Sequence, residues 1–250
     1  MTYAIDSHAH CGIQDRSAPQ SFEDYLACAR GSGIAKTVMF PPVQEIYDRF
    51  DPWFEDNEHW RQRRERAHEY ILGLGNQELE VIPYFFIWND FAVDRLHPRH
   101  KGIKWHRHAD EPRYRYESTE CRNALELIQD RGLPVVLEEE LENTIYFITE
   151  LAPRARVIIP HLGGLNGGYR SIVSAGIWDL SRVYADTSLA SPGEVTDYLQ
   201  RYGDERLLFG SDFPFGHPGA ELNKILRLEM EESTREKILY RNIQELLQLE

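Results

Sequence analysis

Two histidines separated by one residue, His8 and His10, lie in the run Ala4-Ile5-Asp6-Ser7-His8-Ala9-His10-Cys11-Gly12. On a strand, residues two apart point to the same face. Neighbouring neutral imidazoles can chelate a divalent metal, and zinc, iron and nickel suit them. Such an ion would bring Lewis-acid chemistry. A His-x-His pair alone is also common on surfaces and in caps, so its weight comes from the rest of the chain. Polar residues recur at the ends of other apolar runs. Lys104 and His106 lie in Lys101-Gly102-Ile103-Lys104-Trp105-His106, and Glu138 follows Leu133-Pro134-Val135-Val136-Leu137. His161 lies in Val157-Ile158-Ile159-Pro160-His161-Leu162-Gly163-Gly164, and Asp212 in Leu207-Leu208-Phe209-Gly210-Ser211-Asp212-Phe213-Pro214. Each is a metal-ligating or acid–base residue type. Burying such groups without partners is costly, so their convergence points to mutual pairing or to a metal.

The elements that must position these residues alternate. Apolar runs predict strands near Thr2–Ser7, Ala35–Phe40, Val81–Trp88, Gly102–His106, Pro134–Glu138, Arg156–Pro160, Arg182–Asp186 and Arg206–Gly210. Several are continuously apolar, as strands buried on both faces are. Between them, helices are predicted at Ser21–Gly31, Glu58–Leu74, Thr119–Asp130, Leu141–Leu151, Ser171–Trp178, Pro192–Tyr202 and Gly219–Leu228. Gly31, Gly132 and Gly203 read as helix stops. Thr234–Leu249 predicts a closing amphipathic helix with Ile238, Ile243, Leu246 and Leu247 on its apolar face. Strand–helix alternation implies parallel strands with right-handed crossovers, and eight repeats fit a single (β/α)8 TIM barrel better than an open sheet. In that barrel, catalytic groups sit at the C-terminal ends of the strands. No linker or low-complexity tract interrupts the chain, so residues 1–250 read as one domain.

The 250 residues include 28 basic and 41 acidic side chains, a net charge of −13. That field disfavours general nucleic-acid binding but leaves room for a local basic pocket. The odd set Cys11, Cys28 and Cys121 reads as reduced thiols in a cytoplasm. Neither a signal peptide nor a membrane-spanning run is evident. The expected partner is a small-molecule substrate, not nucleic acid or a membrane, and self-association into a homo-oligomer is compatible with these features.

In this order, the His8-Ala9-His10 opening, Gly102-Ile103-Lys104, His161-Leu162-Gly163-Gly164 and Gly210-Ser211-Asp212-Phe213-Pro214 resemble the amidohydrolase superfamily. The likeness is to its amidohydrolase-2 branch of metal-dependent hydrolases and decarboxylases. It spans residues 4 to 214, and Asn242 to Leu247 resembles the branch's C-terminal helix. The resemblance implies that His8 and His10 are paired metal ligands and that Asp212 is a ligand that also accepts a proton from metal-bound water. It implies that His161 binds metal or polarises substrate and intermediate. One divalent ion is expected, zinc first. The branch usually carries histidine where this chain has Glu138. A His8, His10, Glu138, Asp212 set, with His161 as a further candidate, remains chemically sensible, whereas related barrels without metal are also known.

For Lys104 the default is a buried pair with a carboxylate. At least one of His106 and His108 reads as a surface loop histidine, and Glu139 and Glu140 read as a solvated run. Arg113 and Arg115 read as solvated; facing the cavity, they would form a carboxylate clamp. The leading expectation is a hydrolase of a small amide, ester or lactone. Asp212 would serve as proton carrier, and His161, with Lys104 or His106, as oxyanion stabiliser. The alternatives are non-oxidative decarboxylation of a small carboxylic acid and a metal-free ligand-binding barrel. A nuclease fits less well, because strand four lacks a glutamate ligand.

Overall fold

The computed structural model describes residues 3–13 and 20–249. Its strands are β1 (Ala4–His10), β2 (Ile34–Phe40), β3 (Glu80–Phe86), β4 (Gly102–His106), β5 (Val135–Glu138), β6 (Val157–Ile159), β7 (Val183–Asp186) and β8 (Leu207–Leu208). They pair in sequence order, each parallel to the next. Backbone bonds stitch β8 and the segment after it to β1. Ser7 N–H donates to the Phe209 carbonyl at 2.9 Å, Asp212 N–H to that of His8 at 2.7 Å, and His10 N–H to that of Phe213 at 2.9 Å. This is the expected (β/α)8 barrel. The first strand begins at Ala4, Thr2 lying outside the described residues, and runs on to His10 because His10 still pairs with Phe40 of β2. The last strand is shorter than predicted, and the chain beyond it forms the loop that carries Asp212.

Several of the helices that cover the sheet begin at side-chain caps. Ser21 caps α1 (Phe22–Ala29) in a reciprocal box with Asp24, and Asn57 caps α2 (Glu58–Gly73). Ser118 caps α3 (Thr119–Asp130). After α4 (Leu141–Tyr146) the backbone widens into a π turn, Phe147–Leu151, and α5 (Tyr169–Ser174) stops short of the predicted end. Gly176, at φ 68°, separates α5 from a 3-10 turn at Ile177–Asp179. Ser191 and Glu194 box the start of α6 (Pro192–Tyr202), which α7 (Pro218–Arg227) follows. The tail forms α8 (Glu232–Glu236) and α9 (Asn242–Leu247), joined by a π turn. Among the described residues, no helix is long and apolar enough to cross a membrane.

The barrel interior is divided by depth. Ile5, Val38, Phe40, Ile82, Tyr84, Val136, Ile158 and Leu208 form one apolar cluster with Ile243, Leu246 and Leu247 of α9. The tail helix thus closes one end of the interior, and the other end is left to polar groups. The register of β1 against β2 shifts between Asp6 and Ala9. A bulge of this kind changes which face a side chain takes. It lets Ile5 join the apolar cluster while His8 and His10, three and five residues on, also turn inward. Gly102 has a steric reason: a Cβ there would collide with the Tyr84 ring.

Behind the sheet, α2 packs on β3 through His68, whose Nε2 accepts the Phe86 N–H at 3.0 Å while its ring stacks on Phe85. Burial, helped by His100 and Arg64, pushes its pKa down from 6.5 to about 3. Between those values the unfolded chain binds more protons than the folded one. The stability His68 contributes is therefore complete above pH 6.5 and is lost as pH falls toward 3. Thermal unfolding midpoints should drop between neutral and mildly acidic pH. His68→Gln, which keeps an acceptor but does not titrate, should flatten part of that slope.

Candidate active site

β1 carries His8 and His10, the end of β6 leads into His161, and the loop after β8 presents Asp212. All four are at most 5% exposed. As their spacing predicts, the two first-strand imidazoles share a face: His8 Nε2 and His10 Nε2 lie 3.4 and 3.2 Å from Asp212 Oδ1. His161 Nε2 approaches Asp212 Oδ2 at 3.9 Å. One potential ligand atom from each of His8, His161 and Asp212 falls within 4.8 Å of the others. His161 and Asp212 reach these places from left-handed backbone, at φ 56° and 54°. For a non-glycine residue such a conformation costs on the order of 1–3 kcal/mol. Two hydrogen bonds hold them there, His161 N–H to Asp186 Oδ1 at 3.1 Å and Asp212 N–H to the His8 carbonyl at 2.7 Å.

Asp186, the last residue of β7, was not among the candidates. Its Oδ2 lies 2.8 Å from His8 Nδ1, and its Oδ1 also accepts the Ser188 N–H and hydroxyl. Ser188 Oγ in turn sits 2.8 Å from His161 Nδ1. One carboxylate, with one serine, therefore engages the outer nitrogen of both imidazoles and leaves each Nε2 facing inward. Burial opposes the Asp186 charge, but His8 and His161 outweigh it and hold the carboxyl well below the usual range. The strand-end rule that found the other residues points to Asp186 as well, since it ends the seventh predicted strand. Asp6 is a second unforeseen contributor. Its Oδ1 accepts the N–H groups of His8 and Ser211, and its Oδ2 the hydroxyls of Tyr25 and Ser211. It ties β1 to the Asp212 loop, and burial pushes its pKa up to about 7 despite those bonds.

Lys104, His106 and Glu138 gather beside this cluster. Lys104 Nζ pairs with Glu138 Oε2 at 3.0 Å and lies 3.3 Å from His8 Nε2. Glu138 Oε1 is held by His106 Nε2 at 3.1 Å and His108 Nε2 at 2.7 Å. Glu138 thus groups with His106 and His108, and meets the first cluster through Lys104 and a 3.7 Å approach to His161 Nε2. Burial opposes its charge, but His106 and Lys104 prevail and keep it ionised. Behind, Tyr47 donates to Glu111, which also pairs with Arg49. Two surface expectations need correction. Glu139 is fully buried because Arg107, Tyr116 and Asn143 bind it. His106 is buried, and His108 is half-buried and turned to Glu138, so neither is a free surface histidine. Arg113 and Arg115 are exposed, and Arg115 donates to the Asn89 carbonyl.

The donor set of the first cluster fits a divalent ion. Two imidazoles have their outer nitrogens anchored and their inner ones turned toward a shared carboxylate, the usual make-up of a three-ligand catalytic site, with Lys104 against the inner nitrogen of His8. Burial opposes the Asp212 charge, but His161, His10 and His8 outweigh it and keep the carboxyl ionised, as a ligand must be.

The chain resembles the 2,6-dihydroxybenzoate decarboxylase from Rhizobium, with 13% identity, a TM-score of 0.75, and 100% of this chain and 99% of that one covered. It also resembles a dihydroxybenzoic acid decarboxylase from Polaromonas sp. JS666 with bound manganese and the inhibitor 2-nitroresorcinol. There the identity is 14% and the TM-score 0.72, over 100% of this chain and 98% of that one. A candidate 2-pyrone-4,6-dicarboxylic acid hydrolase from Pseudomonas putida is 20% identical at a TM-score of 0.66, over 99% and 98% of the two chains. At these identities the likeness is one of fold. No curated protein matches by sequence. The amidohydrolase-2 family model, described as amidohydrolase, matches residues 92–249, more than half of the chain. The chain belongs to the amidohydrolase family.

Proposed function

We propose that this barrel is a divalent-metal-dependent hydrolase that cleaves an amide, ester or lactone of a small molecule. The observation that carries the reading is the convergence of His8, His161 and Asp212, with the outer nitrogens of both imidazoles engaged by Asp186 and Ser188. These three residues would hold the ion, with His10, which touches the same Asp212 oxygen as His8, as the fourth donor. Zinc and manganese both suit imidazole–carboxylate donors. When bound, the ion supplies Lewis acidity, polarising a carbonyl oxygen and lowering the pKa of water. Asp212 takes the proton of the attacking water and returns it to the leaving group. Lys104, fully buried and aimed at His8, brings an ammonium to the oxygen that gains negative charge, with His106 behind it. Glu138 keeps that ammonium in place, and Asp186 and Ser188 position the imidazoles without touching substrate.

A second reading is non-oxidative decarboxylation. It is favoured by the likeness to decarboxylases of dihydroxybenzoates, one of them with manganese. In it a site acid delivers a proton to the carbon that loses carbon dioxide.

Incubating metal-loaded protein with small lactones, esters, amides and aromatic acids separates the two, because hydrolysis releases a new carboxylic acid and decarboxylation releases carbon dioxide. Acid release without carbon dioxide is expected. The His8→Ala/His10→Ala double variant should lose metal uptake while its unfolding midpoint falls only modestly, and unchanged metal content would refute the assignment. Asp186→Asn should cost roughly 10–100-fold in metal affinity, the usual loss when an outer-shell partner of a metal-bound histidine is removed. Glu138→Gln leaves Lys104 buried without a carboxylate. In denaturant titration it should cost roughly 3–5 kcal/mol, the scale for breaking one half of a buried ion pair.

A further inference from the structure

The position of Lys104 goes beyond that reading and rests on it, because His8, His161 and Asp212 must be the metal-holding group. Lys104 projects from β4 into the barrel and is fully buried. Its Nζ lies 3.3 Å from His8 Nε2. Asp186 accepts a hydrogen bond from His8 Nδ1 on the far side of the ring. Nδ1–H therefore donates to Asp186, which leaves the Nε2 lone pair to face the ammonium, with Asp212 Oδ1 3.4 Å from the same nitrogen. A metal held by His8 needs the same lone pair.

We infer that Lys104 is a built-in rival of the divalent ion, an ammonium that hydrogen-bonds to His8 Nε2 in the metal-free protein and keeps metal affinity low.

The arrangement around Lys104 gives the ammonium a stable place. Glu138 Oε2 pairs with it at 3.0 Å, and the Phe40 ring face lies 4.8 Å from Nζ. A cation over an aromatic face is attracted by the ring quadrupole. Lys104 therefore has partners besides His8. With His8 given to a metal, its ammonium would keep Glu138, whose other oxygen is held by His106 and His108. The retained positive charge would share this buried setting with the ion, where charges are weakly screened. Glu138 offsets part of that repulsion. The same ammonium serves catalysis by facing a developing oxyanion and weakens resting metal affinity by facing the metal's own donor.

The test is calorimetric titration of manganese(II) into the purified metal-free full chain as wild type, Lys104→Met and Lys104→Gln, with thermal unfolding of each measured with and without the ion. Removing the ammonium frees His8 Nε2 and leaves Glu138 with its histidine partners but without the Lys104 charge beside the site. Both variants should bind manganese(II) more tightly than wild type by roughly tenfold or more, a difference of about 1.4 kcal/mol per factor of ten. The rise in unfolding temperature on adding the ion should also be larger in the variants. Wild-type or weaker affinity in folded variants would overturn the inference. If a variant is unfolded without metal, recovery of the cooperative transition in manganese(II) supports it, and failure to recover overturns it. Uptake by the variants but not by wild type would support it most strongly. Uptake by none of the three proteins would instead bring down the metal reading, and the inference with it.

Discussion

The Asp186 carboxylate is the constraint on which the site depends. It is fully buried, and an unpaired charge there would cost several kcal/mol. It is tolerated because donors from the ends of β6, β7 and β1 are turned toward it. Those partners are the His8 ring, the His161 backbone and both donors of Ser188. Satisfying this one anion fixes the tautomer of His8 and holds His161 in left-handed backbone. It also sets the serine that engages the outer nitrogen of His161. The inner nitrogens then have one direction left, into the barrel.

This polar end is stable because the other end is not polar. The interior cluster from Ile5 to Leu208 and the α9 side chains fill the base of the barrel, so the top can hold charged groups in place of apolar packing. The two regions meet at the shift in β1 between Asp6 and Ala9, which lets one strand serve both. Asp6 reinforces that junction by taking the N–H groups of His8 and Ser211 on a single oxygen. The seam of the barrel and the position of Asp212 are therefore set by the same contacts. Charge is balanced across two neighbouring groups. Asp212 and Asp186 face the first-strand histidines and His161, and Glu138 faces Lys104, His106 and His108.

Much of this was legible in the sequence, for physical reasons. Continuous apolar runs can be buried on both faces only in a covered parallel sheet, and the stops read at Gly31, Gly132 and Gly203 lie within two residues of the ends of α1, α3 and α6. His8, His10, His161 and Asp212 were found because strand ends in such a barrel converge. Asp186 obeys the same rule and was passed over because its strand ends in an ordinary-looking aspartate. A carboxylate partner for Lys104 was the default reading, and for Glu138 the sequence left a metal and Lys104 both open. The residue type suits a metal, and only the reach of the Lys104 side chain from the next strand shows which positive charge it meets. Glu139 looked solvated within a run of acids, yet Arg107, more than thirty residues earlier, takes it into the interior. Tyr47, Glu111 and His108 come from irregular loops, where neither periodicity nor capping says which way a side chain points.

The most direct test of the central claim, that His8, His161 and Asp212 form one metal-holding group oriented by Asp186, is anomalous diffraction from crystals grown with manganese(II). The expected result is a single strong anomalous peak in contact with His8, His161 and Asp212, with Asp186 still bonded to the far nitrogen of His8. A peak lodged among His106, His108 and Glu138 instead, or no peak at either group, would contradict it.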